Sequence, residues 1–385
     1  MVSRKNTINL RSLLTIFAVL VTVLWCGANT ITTNAQTTPR RVPMDFTGDG
    51  RSDWATIANS VVGAPLRWRI AGNPALPGPN QAFIREFDYG IAGNYENPPN
   101  NIRDYIYPDD YTGDRKTDVV VWRPGAPGIF YVAEFPIGTG GITLNRAVRW
   151  GQAGDNISPN NPVFNPIGDY DGDGKADYTA VRASSSGDLT WYIMSSATGA
   201  QRAVPFGTLA GFPEGGVYVF PGADFNNDGK DELVLVTTIV EFGPLTYYIG
   251  DSTTGAGVMT RQFGVFETDY SVAPADYTGD GRADFVAVRQ NAAGTPATWY
   301  INNSATNVTT AANFGISDPT FEGGQDMPVR GDYDGDGRLD IAVYRRSNQN
   351  FYYFRSSTNN TVVDGQKFGA PGDEPLASYA IGYVY

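Results

Sequence analysis

The 385-residue chain carries 45 glycines, 25 prolines, 13% aromatic residues, no histidine, one cysteine and a formal charge of −12. Without histidine the commonest general base and the usual zinc or copper ligand are missing, and the acidity argues against a nucleic-acid partner. Frequent Gly and Pro with no long Ala/Leu/Glu/Lys-rich stretch points to short strands joined by tight turns, an all-β chain.

At the start of the chain, Arg4, Lys5 and Arg11 flank an apolar run from Leu13 to Ala28, and Thr33-Asn34-Ala35 offers a small-residue cleavage site. Residues 1–35 therefore read as an export signal. The run, about 16 residues, falls short of the about 20 a membrane span needs, with an uncleaved anchor as the alternative. Trp25 stands before Cys26 where a lipoprotein signal wants a small residue. With Cys26 inside the signal, the mature chain has no disulfide, no thiolate nucleophile and no Cys-based metal site. The signal holds three basic residues and no acidic ones, so its loss takes the charge from −12 to −15.

Downstream, one nine-residue signature occurs six times, with starts 52 to 65 residues apart. The copies read DFTGDGRSD from Asp45, DYTGDRKTD from Asp110, DYDGDGKAD from Asp169, DFNNDGKDE from Asp224, DYTGDGRAD from Asp276 and DYDGDGRLD from Asp332. Each is followed by an apolar strand, as in Val119 to Trp122 or Leu233 to Val236. An aromatic strand comes next, such as Trp68-Arg69-Ile70 or Trp299-Tyr300-Ile301, and then an aromatic-Gly pair, from Tyr89-Gly90 to Phe368-Gly369. With a strand leading into the loop, each unit makes a four-stranded antiparallel sheet. Such a sheet cannot bury both faces alone, so the units must stack, and a ring removes most raw edges. The recurring rings suit a glycan platform less well than filler between blades.

Side-chain oxygens fall at positions 1, 3, 5 and 9 of each loop. They belong to Asp45, Thr47, Asp49 and Asp53; Asp110, Thr112, Asp114 and Asp118; Asp169, Asp171, Asp173 and Asp177; Asp224, Asn226, Asp228 and Glu232; Asp276, Thr278, Asp280 and Asp284; and Asp332, Asp334, Asp336 and Asp340. A Gly at position 6 permits the positive φ of a sharp turn. Calcium, which wants six to eight oxygens, suits this donor set better than magnesium, which keeps its waters. Twenty-one carboxylates in six nonapeptides would repel one another strongly without a cation. Up to six ions are expected, tightest in the all-Asp third and sixth loops. The second loop is doubtful because Arg115 replaces its Gly. An EF-hand is excluded, since position 12 is Ala180 or Val343 within β-type runs rather than Glu.

These motifs, with GDYDGDGRLDIAVYRRS from Gly331 to Ser347 the fullest, resemble the FG-GAP/VCBS repeat family, whose best-known members are the α-subunit propellers of integrins. The resemblance covers about residues 40 to 373. It implies a single β-propeller over 36–385 with calcium loops between the first two strands of each blade. The repeats lie near 40–104, 105–164, 165–219, 220–271, 272–327 and 328–373, and 374–385 is a closing strand. Six blades are expected, with seven as the alternative.

The expected function is a secreted or cell-surface monomer that binds or adheres to a glycan or extracellular protein, with no catalytic residues. Periplasmic residence, a lyase-type polysaccharide enzyme and a purely structural surface protein are the alternatives. The longest insertions, Gly72 to Asn80, Gly93 to Asn101 and Gly154 to Pro166, are the candidate binding surface.

Overall fold

Six antiparallel sheets follow one another along the chain as the blades of a propeller. The computed structural model describes residues 41–379 apart from 59–62, 74–83, 93–103, 136–141, 157–164, 213–215, 241 and 320–323. The export-signal reading and the end of the tail thus lie outside the described residues. Those described belong to one unit, Gln36–Tyr385.

The fourth blade shows the pattern in full: Val217–Ala223, Glu232–Thr237, Pro244–Gly250 and Gly257–Val265 pair in chain order. Burial along these strands explains why the sequence folds this way. The first two are buried throughout, because a neighbouring blade covers each face, and they are rich in β-branched and aromatic residues. The third alternates, with Leu245, Tyr247 and Ile249 inward, and the fourth is largely exposed at the rim. The aromatic strands therefore fill the space between blades: Trp68, Trp191, Tyr247 and Trp299 are fully buried.

Every neighbouring pair of blades shares a core. Ile167 and Tyr178 of blade 3 join Trp122 and Phe130 of blade 2; Leu233 and Leu235 of blade 4 join Trp191 of blade 3. Phe285 of blade 5 joins Tyr247 of blade 4, and Val343 of blade 6 joins Trp299 of blade 5. Val119 and Val121 of blade 2 pack with Trp68 of blade 1. At the junction of last and first, Trp54 stacks on Tyr333 with ring centroids 4.9 Å apart and planes 5° from parallel.

A second device recurs where the chain passes from one blade to the next. Asp104, Asp155, Asp269 and Asp326, each with a buried side chain, receive the guanidinium of Arg123, Arg182, Arg289 and Arg345 in two-point pairs of 2.7–2.9 Å. The same carboxylates accept the N–H of Ile91, Gln152, Val265 and Ile316, just past the preceding unit's outer strand or at its end. Each arginine also lies over a ring of the third strand: Tyr131, Tyr192, Tyr300 or Tyr352. In blade 4, Val217 and Thr237 pair at these positions and replace the ions with apolar packing.

The ring closes through the tail. Glu374–Pro375 pairs with Trp54–Ala58 as the lead-in strand of blade 1, and Leu376–Tyr379 turns into one helical turn. Asp373 takes the place of the aspartates above, accepting from Thr56 Oγ1 at 2.9 Å, Ala370 N at 2.9 Å and Arg69 at 2.6 Å. Glu374–Pro375 of the expected closing strand therefore seals the first blade, Leu376–Tyr379 is helical instead, and the rest of the segment lies outside the described residues. Asp373→Ala would leave Arg69 only its 3.4 Å pair with Glu86 and loosen the seal, at a cost of about 3 kcal/mol in chemical denaturation. Glu374→Gln, at the more exposed pair with Arg346, should cost under about 1 kcal/mol.

Candidate metal centres

All six Asp loops share one internal scheme. The position-1 carboxylate accepts the N–H of positions 4 and 6, as with Gly172 and Gly174 on Asp169, both at 2.8 Å. The position-9 carboxylate accepts the N–H of position 2 or 3, as Asp340 does from Tyr333 at 2.7 Å. Glu232 does the same for Phe225 at 2.7 Å, so its longer side chain still reaches. The position-5 aspartate accepts the N–H of position 7, as Asp173 does from Lys175 at 2.9 Å.

This wrapping needs left-handed backbone at two places, positions 4 and 6. Gly172 has φ +79° and Gly174 φ +89°. Two loops lack one of these glycines: Asn227 holds φ +62° at position 4, which Asn tolerates, and Arg115 holds φ +67° at position 6, a strained place for an arginine. The irregularity expected of the second loop is therefore real, yet its backbone path is kept, with Arg115 N on Asp110 at 2.8 Å.

The loops are also tied to one another. The position-8 N–H of each donates to the position-1 carbonyl of the loop before it: Thr117 to Asp45, Ala176 to Asp110, Asp231 to Asp169, Ala283 to Asp224, Leu339 to Asp276 and, closing the circle, Ser52 to Asp332. These six bonds span 2.6–2.9 Å. A basic residue at position 7 reinforces the belt: Lys116, Lys175, Lys230, Arg338 and Arg51 lie against the position-4 residue of the preceding loop. Arg51 and Arg282 also reach its position-2 carbonyl, at 3.2 Å to Tyr333 and 2.9 Å to Phe225. The sequence reading passed over these cations, although Lys or Arg stands at position 7 in all six nonapeptides.

Of the expected ligands, the structure brings together carboxylates in two loops: Asp169, Asp171 and Asp177, and Asp332, Asp334 and Asp340, each set with oxygens within 4.8 Å of one another. Position 5 is not in either set; Asp173 is exposed, and Asp336 pairs with Arg338 at 2.9 Å. Burial is the main cause pushing Asp177 and Asp340 up to about 7, with the charges of Asp171 and Asp334 next. The fit to a hard cation rests on oxygens without hydrogen partners: Asp334 Oδ1 is buried and unpaired, as are the hydroxyls of Ser196 and Ser356, whose N–H groups bind Asp177 and Asp340. An ion held by such a donor set would neutralise the carboxylates and fix the turn.

Residues 169–235 and 224–287 match the FG-GAP-like repeat family. The matched stretch holds loops 3, 4 and 5, and the other three loops repeat the same wrapping. No curated protein matches the chain. Solved structures that resemble it include an ACO/RPE65 chimera, at 12% identity, covering 82% of this chain and 72% of that one with a TM-score of 0.37. Another is rhamnogalacturonan lyase YesW, at 12% identity, 85% and 67% coverage and a TM-score of 0.29. Likenesses at those scores bear on neither ligand nor activity.

A pH dependence follows for the metal-free protein. Burial also pushes Asp53 and Asp118 up to about 7 and Glu232 to about 8. A carboxyl with a raised folded pKa binds its proton more tightly when folded, so its contribution is present below about 4 and is lost as pH rises through about 7. In chelator, melting temperature should fall from pH 5 to pH 8, and saturating calcium should abolish or reverse that trend.

Proposed function

We propose that this chain is an exported, calcium-stabilised propeller that serves as a non-enzymatic binding module for a glycan or an extracellular protein. No helix among the described residues is long and apolar enough to cross a membrane. The basic-apolar-small pattern of residues 1–35 supports export, and the acidic triads support the ion. Extracellular calcium at ten times a site's dissociation constant would add about 1.4 kcal/mol per site, a substitute for absent disulfides.

One observation carries the binding reading. The turns joining third and fourth strands stand at the same end of the ring as the Asp loops, and each of three is held by its own hydrogen bonds. Ser195, Asp251 and Asn303 each cap their turn through side-chain oxygens, at 3.2 Å to Thr198 N, 2.7 Å to Thr254 N and 2.8 Å to Thr306 N. In the same three turns, the N–H of Gly199, Gly255 and Asn307 closes on the opening residue's carbonyl. Ser357 and Asn303 tie two of the turns to loops 6 and 5. Their tips expose Ser, Thr and Asn groups, donors and acceptors in one place, whose ordering cost is met in advance.

Gly72 to Asn80 leaves a third strand at this end of the ring. Gly93 to Asn101 and Gly154 to Pro166 follow fourth strands in the chain, and most residues of the three insertions lie outside those described. The test is a glycan and matrix-protein array run in calcium and in chelator. Saturable, calcium-dependent binding weakened by Thr254→Ala with Thr306→Ala is expected; no saturable partner on either array would refute the reading.

A further inference from the structure

Blade 1 is the place where the ring lacks covalent continuity. In blades 2, 3 and 6 the residue before the Asp loop, Asp109, Gly168 or Gly331, takes the N–H of position 9, Asp118, Asp177 or Asp340, at 2.8–2.9 Å on the chain's own lead-in segment. Blade 1 assembles the same inner edge from two pieces. Glu374–Pro375 pairs with Trp54–Ala58, and Met44, from the other end of the chain, takes the N–H of Asp53 at 2.8 Å. No peptide bond joins the pieces, so this is the junction at which the ring can open without unravelling a blade.

Arg41, three residues before Met44, reaches away from blade 1. One terminal nitrogen stands 2.8 Å from Asp109 Oδ2 in blade 2, and the other donates to Asp231 Oδ2 of loop 4 at 2.8 Å. In a ring of six, blade 4 lies three blades from blade 1 in either direction, so this side chain crosses the axis instead of following the belt. Asp231 is placed to receive it. At position 8 the other loops carry Ser52, Thr117, Ala176, Ala283 and Leu339, none of them charged. The innermost strands make room for the acid with glycine: a Cβ at Gly168 would stand 3.2 Å from Asp231 Oδ2, and one at Gly222 2.9 Å from Asp231 Cβ. The two carboxylates are tied into the loops in turn, Asp231 Oδ2 taking the N–H of Asp169 at 2.7 Å and Asp109 Oδ1 that of Asp110 at 2.8 Å. Burial works against the guanidinium's charge, and the charges of Asp109, Asp231, Asp169 and Asp110 outweigh it. Removing one partner from such a pair leaves the other charge desolvated and uncompensated.

We infer that Arg41 is an axial latch, a single guanidinium that fixes the split strand of blade 1 to blade 2 beside it and to blade 4 across the ring. The belt links each loop only to its neighbours. The latch adds a chord through the centre, so release at blade 1 also frees loop 2 and, through Asp231, loops 3 and 4 on the far side. The arginine fork suits this task because its two ends can hold separate carboxylates in a fixed geometry.

The test is amide hydrogen exchange on the full mature protein and its Arg41→Ala variant, with calcium held constant. A pair that merely stabilises the fold would speed every globally exchanging amide by one factor. The latch predicts that exchange at Asp53, Asp118, Asp169 and Asp231 rises at least about tenfold more than at Ala283 and Leu339, in loops 5 and 6. An equal rise at all six, or none, overturns the inference; a rise confined to Asp53 overturns the reach across the axis. Asp231→Asn, which keeps the side chain's size and an acceptor for Asp169, should reproduce the rise at Asp53, Asp169 and Asp231 and spare Asp118, because Asp109 still holds Arg41. An equal rise at Asp118 would contradict the two-armed hold.

Discussion

One backbone hydrogen bond, repeated around the ring, ties this propeller together: the position-8 N–H of each Asp loop on the position-1 carbonyl of the loop before it. Position 1 uses its carboxylate to wrap its own loop and its carbonyl to hold the next. Position 8 is followed directly by the position-9 carboxylate that closes the next loop. Local turn geometry and global closure therefore share the same residues. The Ser52–Asp332 bond, 2.7 Å long between residues 280 positions apart, shows that the circle is complete in the same currency as every other junction.

The rest of the architecture can be understood as what keeps that belt in register. Buried second strands and the Trp, Tyr and Phe residues between blades supply non-directional apolar cohesion. The Arg–Asp pairs, buried on the acid side and stacked on tyrosine, fix the angle between one unit's rim and the next unit's first strand. Where the pair is missing, in blade 4, Val217 and Thr237 are buried instead, so the junction trades specificity for packing. The closing segment reuses the scheme with a substitute: Ala58 occupies the arginine's usual place, and Arg69 reaches Asp373 from the adjacent strand.

Much of this was legible in the residues. The nonapeptide gave the number of blades, the aromatic-Gly pairs marked the outer strands, and the charge pattern picked out the third and sixth loops as the acidic ones. The connections between loops were less visible. Periodicity speaks of what each unit repeats, whereas the position-8 bond and the position-7 cation act between units, and a backbone N–H leaves no residue signature. The second glycine requirement, at position 4, was present in five of six copies and became meaningful only with its φ.

Amide hydrogen exchange tests the belt most directly. If the six bonds act as one cooperative element, the amides of Ser52, Thr117, Ala176, Asp231, Ala283 and Leu339 should belong to the slowest class, exchanging together and only through global unfolding. Exchange of these six at scattered rates, or at the rates of the exposed position-5 amides in the same loops, would contradict the account.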